Sequence, residues 1–133
     1  MAGELILIVE DNDKNLKLAR DVLEFRGFRI LEATTAADGV ALALEHHPDL
    51  VLMDIQLPDA DGVSALQQLR TEAATRAIPV AAFTASVMAS DRQRLEAAGF
   101  DGYLAKPIDV KTFPDQVQRL CSPTASEGRN NGG

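Results

Sequence analysis

The chain has 133 residues, 46% apolar and 25% charged, which suits one globular domain with an ordinary core and leaves no room for two. Thirteen basic against 20 acidic residues give a net charge of −7, so no basic face offers itself for direct nucleic-acid binding. A single cysteine excludes an internal disulfide, and with no apolar run near ~20 residues and no leader pattern, a cytoplasmic protein without a membrane span is expected.

Apolar runs alternate with helical patterns from the start. Leu5 to Val9 reads as a strand ending at Glu10-Asp11, after which Asp13 is positioned to cap a helix through about Arg26, closed by Gly27. Phe28 to Ala33 reads as a second strand. Ala37, Val40, Ala41 and Leu44 fall at helical spacing behind Thr35 as cap, and His46-His47-Pro48-Asp49 stops that helix. The two histidines at a solvated helix end suggest neither a metal site nor a phosphohistidine.

Leu50 to Met53 is continuously apolar, as in a strand covered on both faces, and Asp54 follows it. Pro58, Asp59, Asp61 and Gly62 mark a turn, and Val63, Leu66, Leu69 and Ala73 a third helix. Ile78-Pro79 leads into a fourth strand ending at Thr84. A polar helix is expected over Ala89 to Ala98, ended by Gly99, and a fifth strand over Gly102 to Ala105. Val110, Phe113, Val117 and Leu120 mark the last helix. Pro114 favours a start near Thr112, because proline is tolerated where the first-turn donors are unpaired. Residues 122–133 carry no apolar periodicity and read as a disordered tail behind a domain of residues 1–121.

Strict alternation of strand and helix predicts a parallel sheet with right-handed crossovers and helices on both faces. Glu10, Asp11, Asp54, Thr84 and Lys106 then meet at the carboxyl edge of the sheet, where ligands bind in open α/β folds. Three carboxylates, a hydroxyl and an amine suit a divalent cation and a phosphoryl group. Asp54 is the candidate nucleophile, since a carboxylate can carry a phosphoryl group covalently. Bare carboxylates so placed would repel one another, a conflict that bound Mg²⁺ resolves. Lys106 supplies a point charge for a phosphate oxygen, and Thr84 a hydroxyl donor.

Four stretches carry a family likeness: Ile8-Val9-Glu10-Asp11-Asn12, Leu52-Met53-Asp54-Ile55-Gln56-Leu57-Pro58, Phe83-Thr84-Ala85 and Gly102-Tyr103-Leu104-Ala105-Lys106-Pro107. Together, and in this order, they resemble the receiver domain of bacterial two-component response regulators from about Glu4 to Leu120. The resemblance implies a flavodoxin-like doubly wound sheet of five parallel strands, order 2-1-3-4-5, with five helices. It implies phosphorylation of Asp54, with Mg²⁺ on Asp11, Asp54 and the Gln56 carbonyl, and Glu10 acting through water. It also implies a cis Lys106-Pro107 bond that aims the amine inward, and a switch in which Thr84 moves to the phosphoryl group and Tyr103 swings behind it.

Small Ala85 should leave the site open, and the resemblance implies that Gln56 and Ser86 flank it at positions where dephosphorylation rates are set. No output domain follows Leu120, so a stand-alone receiver is expected, not an enzyme beyond catalysing its own phosphorylation and dephosphorylation. The resemblance implies as partners a sensor histidine kinase or histidine phosphotransfer protein, including one in a phosphorelay, and a downstream protein target at the surface around Ala89 to Leu120. Two other functions suit the residues less well. A phosphorylation-independent binding module of this fold would not need all the site positions filled. An aspartyl-nucleophile phosphatase typically has a second acid where this chain has Gln56, and a cap domain besides. Nucleotide-binding glycine motifs are absent.

Overall fold

The computed structural model describes residues 3–85 and 89–121, apart from the side chains of 89–91. Ser86 and the proposed tail at 122–133 lie outside the described residues. Strands β1 (Leu5–Val9), β2 (Arg29–Ala33), β3 (Leu50–Asp54), β4 (Val80–Thr84) and β5 (Gly102–Ala105) alternate with helices α1 (Asp13–Phe25), α2 (Ala36–His46), α3 (Gly62–Thr71), α4 (Ala89–Ala98) and α5 (Phe113–Leu120). All strand pairs are parallel, in the order β2-β1-β3-β4-β5, as in the expected doubly wound fold. Among the described residues, no helix is long and apolar enough to cross a membrane.

Side chains alternate across a strand, so each central strand feeds two cores. Ile6, Ile8, Leu50, Leu52, Ala81 and Phe83 pack on one face against α1 and α5 through Leu16, Leu23, Phe113 and Val117. Leu7, Val9, Val51, Met53, Val80 and Ala82 face α2, α3 and α4, meeting Ala43, Leu66, Leu69 and Leu95. Every residue of β3 and β4 is buried. The two central strands therefore present their last residues, Asp54 and Thr84, from a rigid base.

Several local expectations need correcting. The cap of α1 is Asn12, whose side-chain oxygen accepts from the Asn15 N–H at 3.0 Å; Asp13 is instead the first-turn acid. Asp54 belongs to β3 rather than following it, and β2 begins at Arg29, with Phe28 buried just before it. α3 stops at Thr71, so Ala73 is neither helical nor buried. The chain turns there because the Thr75 hydroxyl donates to the Leu69 carbonyl at 2.7 Å, while the Arg70 guanidinium binds the Ile78 carbonyl at 2.7 Å and the Asp101 carboxylate at 2.8 Å. Thr35 caps α2 as expected, through the Asp38 N–H at 3.1 Å. α5 begins at Phe113 behind Thr112, which puts Pro114 in its first turn and leaves Val110 outside the helix and 53% exposed.

Candidate functional site

The ends of β1, β3, β4 and β5 assemble the site. Glu10 follows β1 and is 1% exposed; one carboxylate oxygen accepts from the Asn12 N–H at 3.0 Å and the other from Lys106 Nζ at 2.9 Å. Asp11 is exposed beside it. Asp54 is 4% exposed: its Oδ1 accepts from the Gln56 N–H at 3.0 Å, and its Oδ2 lies 3.4 Å from Lys106 Nζ. Glu10, Asp11 and Asp54 each bring a carboxylate oxygen within 4.8 Å of the others.

Lys106 is held by its own backbone, whose N–H donates to the Thr84 carbonyl at 2.8 Å as β5 leaves the sheet. The Lys106-Pro107 peptide is cis, as the resemblance implied. The ammonium also lies 5.2 Å from the Phe83 ring centroid, so its stem runs over apolar surface toward the two carboxylates. Thr84 is buried at the end of β4 beside Ala85, which is exposed. Asp54, Gln56, Thr84, Ala85 and Lys106 line one cleft of about 310 Å³.

Burial pushes the Asp54 carboxyl up from 3.8 to about 6; the Glu10 charge adds to this, while the Gln56 N–H and the Lys106 charge oppose it. The carboxylate proposed as nucleophile is thus one that burial, more than its neighbours' charge, holds above the ordinary range. The loop that follows β3 is closed by a tight approach. Gly62 starts α3 with its N–H on the Ile55 carbonyl at 3.1 Å, and a Cβ there would lie 2.7 Å from the Asp54 carbonyl oxygen. Asp61 caps α3 through the Ser64 N–H at 2.8 Å, and Asp59 reaches across to accept from Ala36 and Ala37 N–H at the start of α2.

All five residues expected at the sheet edge are therefore brought together, and His46 and His47 stand apart at the end of α2. A family model for the response regulator receiver domain matches residues 6–118. The chain belongs to that family. Over 113 residues this receiver is 41% identical to the polar-differentiation response regulator DivK of Brucella ovis, covering 85% of this chain and 92% of that protein. It is also similar to the solved receiver domain of a sensor histidine kinase from Pseudomonas aeruginosa, which has a magnesium ion coordinated in its active site cleft. That similarity has a TM-score of 0.81 and 34% identity, over 90% of this chain and 98% of that one. The chemotaxis response regulator CheY4 of Vibrio cholerae shares the fold, with a TM-score of 0.84 at 21% identity over 90% and 99% of the two chains.

Two arginines of α4 escaped the sequence reading. Arg94 lines the same cleft as Asp54 and Lys106. Arg92 donates to the Tyr103 hydroxyl and sits 5.3 Å from the centroid of its ring. No spacing rule ties a residue of α4 to one on β5, so only the tertiary fold reveals either. A separate, mostly apolar groove of about 450 Å³ runs between α1 and the approach to α5; Phe25, 90% exposed, and Val110 line it, and none of the site residues does.

Proposed function

We propose that this receiver, a unit spanning residues 1–121, accepts a phosphoryl group from a partner's phosphohistidine onto Asp54. The observation that carries the reading is Asp54 itself, a buried carboxylate with a raised pKa, an N–H on one oxygen, an ammonium 3.4 Å from the other, and two more carboxylates beside it. The donor set is all oxygen, without thiol or imidazole, and fits a hard cation that keeps part of its water shell. Asp11, Asp54 and the Gln56 carbonyl would hold Mg²⁺, with Glu10 acting through water. Bound there, the ion would lower the charge repulsion among the carboxylates and stabilise the oxygens of the transferring group.

In the transfer, an Asp54 carboxylate oxygen attacks phosphorus and the phosphorus–nitrogen bond breaks. The electron pair leaves with the imidazole, which is reprotonated from solvent. Lys106 neutralises charge on a transferring oxygen, and the Thr84 hydroxyl donates to another. Water attack on the acyl phosphate later releases inorganic phosphate and restores the carboxylate, so the only turnover is of the protein's own modification.

Signalling follows from the charge introduced. An acyl phosphate brings about −1.5 to −2 charges and three acceptor oxygens. Thr84 moving toward them would leave space for Tyr103, now half-buried under Arg92, to turn inward. Tyr103 also lines a recess with Leu104, Gln116 and Arg119, so its movement would reshape the α4-β5-α5 face that a downstream protein reads. With a net charge of −7 the output contact is with protein rather than nucleic acid. The donor would be a cytoplasmic histidine kinase or phosphotransfer protein, including one in a phosphorelay.

The reading is tested by mixing the receiver with a radiolabelled phosphohistidine domain, with and without EDTA. Label should pass to the wild type with Mg²⁺ and not to Asp54→Asn. Partner binding and signalling that are unaltered in Asp54→Asn would favour the phosphorylation-independent module instead.

A further inference from the structure

We infer that Arg94 is a second cationic contact for the phosphoryl group carried by Asp54, and so helps select which phosphodonors react. The inference rests on the phosphoacceptor reading above. Arg94 and Arg92 are two residues apart on α4, about 200° around the helix, and cannot serve the same neighbour. Arg92 donates to Tyr103, and Arg94 lines the cleft with Asp54, Gln56, Thr84 and Lys106.

Charge explains why a second cation has work there. Glu10, Asp11 and Asp54 supply three negative charges, which Lys106 and a divalent ion would balance. Conversion of Asp54 to its acyl phosphate replaces one charge by about two. One negative charge is then uncompensated. Lys106 is already committed, 2.9 Å from Glu10 and 3.4 Å from Asp54. A guanidinium offers a planar fork of donors that matches two phosphate oxygens, and it stays charged throughout. Arg94 is exposed as well as cleft-lining, so it can meet an incoming donor at the mouth and stay with the group after transfer. The chemistry is unchanged: the donor's bond to phosphorus breaks, the Asp54 oxygen–phosphorus bond forms, and Arg94 only binds oxygens.

Arg94→Ala and Arg94→Lys test this against the wild type. Three quantities would be measured: Mg²⁺ affinity, affinity for beryllium fluoride (a stable phosphoryl mimic) by calorimetry in saturating Mg²⁺, and the rate of phosphorylation by acetyl phosphate from intact mass. The expected result is beryllium fluoride affinity and phosphorylation rate both down about tenfold in Arg94→Ala, the scale of one lost charge-assisted contact. Arg94→Lys should fall between, and Mg²⁺ affinity should not weaken in either variant. Wild-type affinity and rate in Arg94→Ala would overturn the inference. Weakened Mg²⁺ binding would overturn it too, since Arg94 would then be holding the site together. A wild type that takes neither ligand would reject the phosphoacceptor reading instead, a separate failure.

Discussion

Asp54→Asn exchanges a carboxylate for an amide of nearly the same shape, at a place where the fold holds the charge under strain. Burial and the Glu10 charge push the Asp54 carboxyl up from 3.8 to about 6 against the help of the Gln56 N–H and Lys106. Two units correspond to about 3 kcal/mol at ~1.4 kcal/mol each. The carboxylate borders a solvated cleft, and screening there reduces the figure to about 1–2 kcal/mol. The folded protein binds this proton more tightly than the unfolded chain does. The resulting stability is therefore complete below about pH 4 and is lost as pH rises through about 6.

In EDTA, then, the wild type should lose about 1–2 kcal/mol between pH 4 and pH 7.5 relative to Asp54→Asn, in which this titration is absent. At pH 7.5 the variant should melt about 3–10 °C higher. Circular dichroism melts of both proteins at the two pH values measure the difference, with groups common to both cancelling. Mg²⁺ should raise the wild-type midpoint and leave the variant nearly unmoved. A metal-free variant that melts below the wild type at pH 7.5 would refute the claim that Asp54 is held at a cost.

Three further outcomes are expected. Lys106→Met removes the partner of Glu10, which is 1% exposed and 2.9 Å away, and urea unfolding should show a loss of about 2–3 kcal/mol with the metal absent. Gly62→Ala forces a methyl to 2.7 Å from the Asp54 carbonyl oxygen and 2.8 Å from the Ile55 Cα, backbone atoms that cannot yield cheaply. The expected cost is about 1–3 kcal/mol, with weaker Mg²⁺ binding, and wild-type values in both would contradict the packing argument. Arg92→Ala releases the Tyr103 hydroxyl. With one tyrosine and no tryptophan, intrinsic emission reports that ring directly, and the resting variant should move toward the spectrum of the phosphorylated wild type.

The sheet and most of its edge were legible because they depend on local signals. Continuous apolar runs such as Leu50 to Met53 mark buried parallel strands, and strand-helix alternation leaves few topologies. The convergence of Glu10, Asp11, Asp54, Thr84 and Lys106 follows from that topology alone. The misses depend on contacts between distant residues. Ala73 continues the helical spacing of α3, yet Thr75 and Arg70 turn the chain before it through carbonyls that periodicity cannot see. Asn12 displaced Asp13 as cap because two neighbouring residues were both competent, and only the backbone decided between them. The Asp59 carboxylate accepts from the Ala36 N–H at the start of α2, 23 residues away in sequence, a contact that no local pattern shows. Nothing local distinguishes Arg92 and Arg94 on the polar helix α4; the fold sets one over Tyr103 and the other in the cleft.

The central claim is that Asp54 is the phosphoacceptor. Its most direct test is incubation with Mg²⁺ and acetyl phosphate, then borohydride reduction, which converts an acyl phosphate on aspartate to homoserine, and peptide mass mapping. The account predicts reduction at Asp54 alone, none in EDTA and none in Asp54→Asn. Modification at Asp11 or another carboxylate, or phosphorylation that persists in Asp54→Asn, would contradict it.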